Sequence, residues 1–221
     1  MFDAVIVMAG SSRRANLSIN KVFYEINGQP LFVYALEAFY KCEACENIVL
    51  VIRPEDEKYI SSYVNERVKV AYGGTNRQDS VYNGIINTKN DVVLIHDGAR
   101  ANIATEQITE VYEQTKKHHV AFLANRATNA IKLSLGDELI SLNRDNLWEA
   151  QTPQGVYKKE FIEAYQKASE DKFIAFDDIE LVQKYVEVKP YIVNGDINNI
   201  KVTTARDLEI MKILLRGKKD V

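Results

Sequence analysis

The chain has 221 residues, 46% of them hydrophobic, which suits one domain over residues 1–221 with a sizeable core and leaves room for a small appendage. Its formal net charge of −3 provides no overall basic field for nucleic acid, so any anion site has to be local. No apolar stretch approaches the ~20 residues that span a bilayer, and no basic segment of a secretory leader precedes the first apolar run. We therefore predict a cytoplasmic protein that partners neither nucleic acid nor a membrane.

The first predicted strand ends in a turn suited to a polyphosphate. Residues 4–9, AVIVMA, form a short apolar run that breaks into Gly10-Ser11-Ser12-Arg13-Arg14. Small residues there let backbone N–H groups approach phosphates, and Arg13, Arg14 and Lys21 add fixed positive charge. The turn lacks the Gly-Lys-Ser/Thr end of a Walker loop and the third glycine of a dinucleotide fingerprint. An ordinary strand-to-helix turn with surface arginines therefore stays open as the alternative.

Apolar runs alternate with helical patterns along the rest of the chain. Buried strands are predicted at 4–9, 48–52, 69–71, 92–96, 120–124 and 189–193. Helices are predicted at 31–40, 77–86, 105–117, 158–168, 177–185 and 204–215. This alternation predicts an α/β fold in which a mostly parallel sheet carries helices on both faces. Ligands of such sheets bind beyond the carboxyl ends of the strands.

One segment interrupts the alternation. Residues 130–134 and 138–142 flank Leu135-Gly136-Asp137, a pattern that predicts a hairpin. An isolated two-stranded ribbon is marginally stable in water. We therefore expect the segment at about 128–147 to be an arm that docks on another surface.

The two cysteines, Cys42 and Cys45, form a C-x-x-C pair at the end of a predicted helix. Such a pair can be redox-active or can supply half of a zinc site. No second pair exists, and the motif follows a helix instead of opening one. We therefore predict two reduced thiols with a structural role.

A second glycine turn, Gly73-Gly74, follows the strand predicted at 69–71. Two glycines allow the backbone to approach a flat ligand closely, and Ser80 can supply a hydrogen bond to the edge of a base. Arg77 is either a phosphate ligand or a charge on the helix surface, and the sequence leaves both readings open.

Two aspartates follow predicted strands at the edge where ligands are expected. Asp97 lies in His96-Asp97-Gly98-Ala99-Arg100, and Asp196 follows the strand predicted at 189–193. Two such carboxylates can share Mg²⁺ with bound phosphates. The alternative for Asp97 is a structural turn or helix cap. Lys201 adds one more cation near this edge.

The segment Gln151-Thr152-Pro153-Gln154 is predicted as a stiff polar turn. Arg144 lies eight residues before Thr152. Taken alone, the segment is equally compatible with a plain loop.

In combination these motifs resemble the 2-C-methyl-D-erythritol 4-phosphate cytidylyltransferases and their relatives, the ribitol-5-phosphate cytidylyltransferases. The resemblance covers nearly the whole chain. It rests on six groups of residues: Gly10 to Lys21; Gly73-Gly74 with Arg77 and Asp79-Ser80-Val81; His96-Asp97 with Ala99-Arg100; Leu147-Trp148 with Gln151 to Gln154; Gly195-Asp196; and Asn199 to Thr204.

The resemblance implies a Rossmann-like sheet in a single nucleotidyltransferase domain, with a β-arm that helps to form a homodimer. It implies a reaction in which a polyol phosphate attacks the α-phosphorus of CTP and releases pyrophosphate, with Mg²⁺ as cofactor. The acceptor implied is methylerythritol phosphate, and ribitol 5-phosphate or another polyol phosphate is the alternative. A nucleotide-binding relative that has lost turnover is a further alternative from another class.

The resemblance also assigns roles to residues. The implied catalytic pair is Arg14 and Lys21, which would stabilise the developing phosphate charge. The implied nucleotide-binding residues are Ala9, Gly10, Ser11, Gly74, Arg77, Ser80, Asp97 and Ala99. The implied acceptor-binding residues are Arg100, Arg144, Thr152 and Lys201, with Arg144 reaching across from the dimer partner. The implied metal ligands are Asp97 and Asp196.

The chain departs from the family pattern at several positions. Ser12 replaces a glycine and Ala15 a methionine in the first loop, and Ala101 replaces a proline. These changes are expected to affect the CTP side only lightly. Ala130 and Phe176 stand where threonines are expected, which removes two hydroxyls from the acceptor side and leaves the choice of polyol phosphate open.

Overall fold

The strands and helices follow the apolar periodicity closely in the computed structural model, which describes residues 1–10 and 19–216. The strands are β1 (Phe2–Val7), β2 (Glu25–Ile26), β3 (Gln29–Pro30), β4 (Cys45–Ile52), β5 (Val68–Tyr72), β6 (Val92–Asp97), β7 (Ala121–Arg126), β8 (Lys132–Leu135), β9 (Glu138–Ser141), β10 (Trp148–Tyr157) and β11 (Tyr191–Asn194). The helices are α1 (Leu31–Lys41), α2 (Arg77–Ile85), α3 (Thr105–His118), α4 (Lys158–Glu170), α5 (Asp178–Tyr185) and α6 (Ala205–Leu214). None of these helices is long and apolar enough to cross a membrane.

Seven strands form the main sheet in the order β11-β7-β10-β6-β1-β4-β5. β1 pairs in parallel with β4 and β6, β4 with β5, and β7 with β11. Only β10 runs antiparallel to its neighbours within this sheet, between β6 and β7. The predicted α/β class, a mostly parallel Rossmann-like sheet, is therefore confirmed.

The central strand β10 corrects one expectation. Residues 151–154, predicted as a polar turn or loop, lie inside it. The pairing with β7 shifts register between Ala150 and Gln154, so the strand bulges where Pro153 has no N–H to donate. Proline and polar side chains indicate a turn when considered locally, but a bulge accommodates them within a sheet.

Helices cover both faces of the sheet because the side chains of its strands alternate between two cores. Ala4 and Ile6 of β1 pack into the core formed with α1, α3 and α6, whereas Val5 packs into the core formed with α2, α4 and α5. Phe39 of α1 is fully buried in the first core, and burying such a side chain contributes ~1.5–3 kcal/mol. Because helices cover both faces, the sheet is accessible to a ligand at the ends of its strands.

The predicted arm is present as the hairpin β8–β9, in a sheet of its own. Its register pairs Lys132 with Ser141 and Leu135 with Glu138, and Gly136 adopts φ +60° in the connecting turn. Leu135 and Leu139 are 56% and 66% exposed. The hairpin therefore carries apolar side chains that nothing covers within the described part of this single chain.

Both cysteines are buried and free. Cys42 follows α1 and Cys45 begins β4. Burial raises the pKa of the Cys45 thiol to about 12, which keeps it protonated and unreactive at neutral pH. These observations support the prediction of two structural thiols.

Candidate nucleotide-binding site

A cavity of about 650 Å³ opens at the carboxyl ends of the central parallel strands, a volume in the usual range for small-molecule sites. It brings together nine residues predicted from the sequence: Ala9, Gly10, Lys21, Gly74, Arg77, Ser80, Asp97, Ala99 and Lys201. Arg14 and Ser11 lie outside the described residues. Arg100, Arg144, Thr152 and Asp196 are not among the described residues that line the cavity.

The glycine turn packs against its own protein more tightly than expected. A Cβ at Gly73 would lie 2.5 Å from Cβ of Ala9, and one at Gly74 would collide with Asp79 in the first turn of α2. The backbone of the glycine turn, predicted to approach a flat ligand closely, therefore also lies close to the end of β1 and to α2. Glycine is needed here so that the turn can seat against the strand end that forms the cavity.

Ser80 holds this turn in place. Its hydroxyl accepts from the backbone N–H of Gly74 at 3.0 Å and donates to the carbonyl of Asn76 at 2.8 Å. The single hydroxyl hydrogen is thereby used, while one lone pair is left. At this edge of the cavity Ser80 can accept a hydrogen bond from a ligand, but it cannot donate one without leaving Asn76.

Arg77 is not simply a charge on the helix surface, and its role as a phosphate ligand stays a prediction. Its guanidinium donates to both carboxylate oxygens of Asp178, at 2.9 and 2.7 Å, and its Nε lies 3.5 Å from the carboxylate of Asp97. Burial opposes the charge of Arg77, but the two carboxylates outweigh it and raise the pKa. Arg77 therefore connects the beginning of α5 to the cavity as part of an ion-pair network.

Asp97 lies at the centre of the positive charges. Its carboxylate is 2.9 Å from Nζ of Lys201, 3.5 Å from Arg77 and 3.6 Å from Nε of Arg100. Burial by itself would raise the pKa of Asp97, but the three cations hold it well below its usual range. The residue is ionised at any physiological pH, and it keeps three cations together at the cavity edge.

Arg100 and Lys201 are held near each other by the backbone as well as by Asp97. Arg100 donates from Nη1 to the carbonyl of Asn199 at 2.7 Å, two residues before Lys201. The N–H of Val202 donates to the carbonyl of Ala99 at 2.9 Å. Two segments about 100 residues apart in sequence thus present their cations on one side of Asp97.

Thr152 lies beneath the cavity and is only 3% exposed. Its hydroxyl accepts from the N–H of Asp97 at 3.1 Å and contacts Nδ1 of His96 at 3.0 Å. Both interactions are internal to the protein. Contact between Thr152 and an acceptor stays a prediction, and in this structure the hydroxyl has other partners.

Lys21 begins a short 3₁₀ turn, Lys21–Phe23, and is half-buried. The preceding residue, Asn20, is 4% exposed and donates to the carbonyl of Met8 at 2.8 Å. That bond ties the segment carrying Lys21 to the end of β1. Asn20 was not predicted from the sequence as part of the site, although asparagine directly before a helical turn is a capping signal.

Arg144 and Asp196 lie apart from the cavity. Arg144 is exposed at the base of the arm and donates to the carbonyl of Thr128 at 3.2 Å. Asp196 is exposed, and its carboxylate accepts from the N–H of Asn198 at 2.8 Å within its own turn. Across residues 1–10 and 19–216, no group of three or more His, Cys, Asp or Glu side chains is arranged to hold a metal ion. A metal site at Asp97 and Asp196 stays a prediction.

A parallel α/β sheet with a cation-lined cavity at its strand ends is the architecture of a nucleotide-binding protein. The model of the 2-C-methyl-D-erythritol 4-phosphate cytidylyltransferase family matches residues 2–217. The chain belongs to this family.

Curated relatives match over nearly their whole length. The 2-C-methyl-D-erythritol 4-phosphate cytidylyltransferase of Caldanaerobacter subterraneus subsp. tengcongensis is 37% identical over 97% of this chain and 98% of its own. The enzyme of the same name from Clostridioides difficile is 34% identical over 99% of this chain and 95% of its own.

Solved structures of the family superpose on the whole fold. A 4-diphosphocytidyl-2C-methyl-D-erythritol synthase from Anaerococcus prevotii has a TM-score of 0.87 at 26% identity, covering 97% of this chain and 95% of its own. The 2-C-methyl-D-erythritol 4-phosphate cytidylyltransferase of Francisella tularensis has a TM-score of 0.82 at 28% identity, covering 96% and 98%.

Proposed function

We propose that this chain transfers CMP from CTP to 2-C-methyl-D-erythritol 4-phosphate and releases pyrophosphate, a step of isoprenoid precursor synthesis by the non-mevalonate route. The observation that carries the proposal is the cavity itself, in which Lys21, Asp97 and Lys201 of the family motifs meet.

The reaction needs little covalent help from the protein. An oxygen of the acceptor phosphate attacks the α-phosphorus of CTP, a new P–O bond forms, and the bond to pyrophosphate breaks. Positioning and charge stabilisation dominate such transfers. Lys21 lines the cavity and is proposed to stabilise the negative charge that develops on the α-phosphoryl and pyrophosphate oxygens, together with Arg14.

The glycine turn is proposed to select cytosine. Ser80 has already donated its hydrogen to Asn76, so it offers the ligand only an acceptor. The exocyclic amino group of cytosine donates hydrogen bonds, whereas uracil presents a carbonyl oxygen at that position. Two acceptors facing each other would be left unpaired, which favours CTP over UTP.

Mg²⁺ is proposed as the cofactor, with Asp97 and Asp196 as the side chains that would hold it. The carboxylate of Asp97 is ionised and lines the cavity, as a ligand of this cation must, although it also pairs with Lys201, Arg77 and Arg100, and Asp196 is not among the lining residues. Mg²⁺ is commonly held by one or two carboxylates together with substrate phosphates, which agrees with the small number of acidic side chains here. When bound, it would neutralise charge on the triphosphate.

The acceptor phosphate is proposed to bind where Lys201 and Arg100 converge on Asp97. Arg144 of a second copy would complete this site, with the arm at about 128–147 joining two copies of one nucleotidyltransferase domain that spans residues 1–221. Support for the homodimer comes from Leu135 and Leu139, which are more than half exposed on the hairpin. The cytoplasmic location stays a prediction.

The experiment is pyrophosphate release from CTP by the full-length protein with Mg²⁺ and a panel of polyol phosphates. Methylerythritol phosphate, ribitol 5-phosphate and erythritol 4-phosphate are compared, with UTP and ATP as alternative nucleotides. We expect release that requires methylerythritol phosphate and CTP together. Release with another acceptor alone would move the assignment to that acceptor, and CTP binding without release would refute an enzymatic role.

Two variants sharpen this test. Lys201→Met removes a cation of the cavity and should lower kcat/KM for the acceptor by ~10²-fold. Lys116→Met is the matched control, since Lys116 is exposed on α3, does not line the cavity, and pairs with Glu113 at 2.8 Å and with the ring of Tyr112 at 4.6 Å. Phe176→Thr restores a hydroxyl at an otherwise 93% exposed position and reports whether that side chain affects the choice among acceptors.

A further inference from the structure

A fully buried histidine next to the cavity forms hydrogen bonds with both of its ring nitrogens. His96, the fifth residue of β6, is fully buried. Its Nε2 lies 3.0 Å from the carbonyl oxygen of Arg100, and its Nδ1 lies 3.0 Å from Oγ1 of Thr152. The ring packs against Phe39 with a centroid distance of 5.3 Å. His96 does not line the cavity, so its role is carried by these partners.

The partners define the direction of each hydrogen bond. A carbonyl oxygen only accepts, so Nε2 of His96 carries the hydrogen and donates to Arg100. In the neutral ring Nδ1 is then an acceptor. Oγ1 of Thr152 accepts from the N–H of Asp97 and therefore donates its own hydrogen to Nδ1. One tautomer of His96 satisfies every member of this chain.

This series of hydrogen bonds holds the turn 97–100 at both ends. It begins at the N–H of Asp97 and finishes at the carbonyl of Arg100, and the N–H of Arg100 donates back to the carbonyl of Asp97 at 3.0 Å. The two charged side chains of this turn, Asp97 and Arg100, belong to the ion-pair network at the cavity edge. Thr152 belongs to β10, so the clamp fastens the turn to the neighbouring central strand.

We propose that His96 is a positioning residue, which acts through Thr152 to fix where Asp97 and Arg100 lie. The proposal rests on the function proposed above and deepens it. Thr152 shares this role, because its hydroxyl hydrogen is committed to His96 and is not available to an acceptor phosphate.

A second segment is fastened to the same strand. Asn199 is fully buried and donates from Nδ2 to the carbonyl of Thr152 at 3.0 Å, while its own carbonyl accepts from Arg100 at 2.7 Å. Asn199 lies two residues before Lys201. The segments that carry Asp97, Arg100 and Lys201 are therefore all aligned on β10.

The test is a double-mutant cycle in the full-length protein. His96→Leu removes both hydrogen bonds of the ring, and Thr152→Val removes the hydroxyl at nearly constant volume. Each is expected to lower kcat by ~10²-fold, the cost of a misplaced reacting group, and the double variant should lose no more than the worse single variant. Additive losses of kcat in the double variant would overturn the proposal. A Thr152→Val variant that raises the KM of the acceptor without lowering kcat would also overturn it, because that result indicates direct contact between Thr152 and the acceptor.

Conservative and control variants separate positioning from folding. Thr152→Ser keeps the hydroxyl and should recover most of the kcat that Thr152→Val loses, and His96→Gln replaces His96→Leu in the cycle if the latter does not fold. Thr88→Val removes another buried hydroxyl, bonded to Ile85 at 2.7 Å, and should lower the melting temperature without lowering kcat. An equal loss of kcat in Thr88→Val would contradict the proposal.

A readout independent of activity distinguishes this proposal from the proposed function. Nitrogen-15 NMR of the imidazole should show His96 as the neutral Nε2–H tautomer, with the Nδ1 resonance shifted in Thr152→Val. If the wild-type protein released no pyrophosphate, the proposed function would fail while this measurement still decided the hydrogen-bond chain. A His96 resonance insensitive to Thr152→Val would refute the chain itself.

Discussion

The neutral, buried ring of His96 predicts a specific loss of stability in mild acid. Burial lowers the pKa of His96 to about 4, and the charges of Arg100 and Lys201 act in the same direction. The hydrogen bond to Arg100 and the charge of Asp97 oppose this shift without overcoming it. The test is therefore a change in pH. It compares the pH dependence of the free energy of unfolding between the wild-type protein and His96→Gln, which has no titrating group at this position.

The sign and magnitude follow from proton linkage. In the unfolded chain His96 titrates at its ordinary pKa of about 6.5, whereas in the folded protein it binds a proton only near pH 4. Between these values the unfolded state binds more protons, so the free energy of unfolding falls as the pH falls. At ~1.4 kcal/mol per pH unit, the loss between pH 7 and pH 5 integrates to about 2 kcal/mol. Below pH 4 this contribution becomes constant.

Urea unfolding at pH 7, 6 and 5 measures this loss. The free energy of unfolding of the wild-type protein should fall about 2 kcal/mol more than that of His96→Gln across this range, whatever the absolute stability of the variant. His118 and His119 are present in both proteins, so their contributions cancel. Parallel losses in the two proteins would refute the inference that His96 is neutral in the folded state.

Three further predictions concern the ion pairs, the phosphate charge and the arm. Asp178→Asn leaves Arg77 without its bidentate partner and should lower the free energy of unfolding by about 2 kcal/mol in urea titrations, less than for a fully buried pair because the Arg77 side chain is 31% exposed. Lys21→Ala should lower kcat for pyrophosphate release by ~10²–10³-fold, and wild-type turnover would remove Lys21 from the catalytic set. Leu135→Asp combined with Leu139→Asp should shift sedimentation from dimer to monomer, and an unchanged sedimentation coefficient would exclude the arm as the interface.

The parallel strands and the helices could be predicted because their signals are local. An apolar run such as residues 48–52, or helical spacing such as that of residues 31–40, is visible within a few turns of chain. Strand β10 was missed because its signal is not local. Pro153 and its polar neighbours become strand residues only through pairing with β6 and β7 and through the bulge between Ala150 and Gln154.

The site could be predicted in part. The glycine turn, Asp97 and Lys201 were found because motifs at strand ends converge in a parallel sheet. Asp178 was missed, since its partner Arg77 is 101 residues away in sequence and an acidic residue at the first position of a helix suggests only a dipole effect. No local pattern indicates which of many carboxylates a cavity arginine will find.

The direction of hydrogen bonds is the part of a site that motifs predict least well. Ser80 of α2 and Thr152 of β10 both match family positions, and a hydroxyl in such a motif suggests a group that donates to substrate. In the fold each hydroxyl hydrogen is directed to the protein, at Asn76 for Ser80 and at His96 for Thr152. In the proposed function the charged residues of the cavity bind phosphates, while these neutral ones hold the backbone that carries them. A hydroxyl in such a motif is therefore better assigned to ligand or to scaffold only after its donor and acceptor partners have been counted.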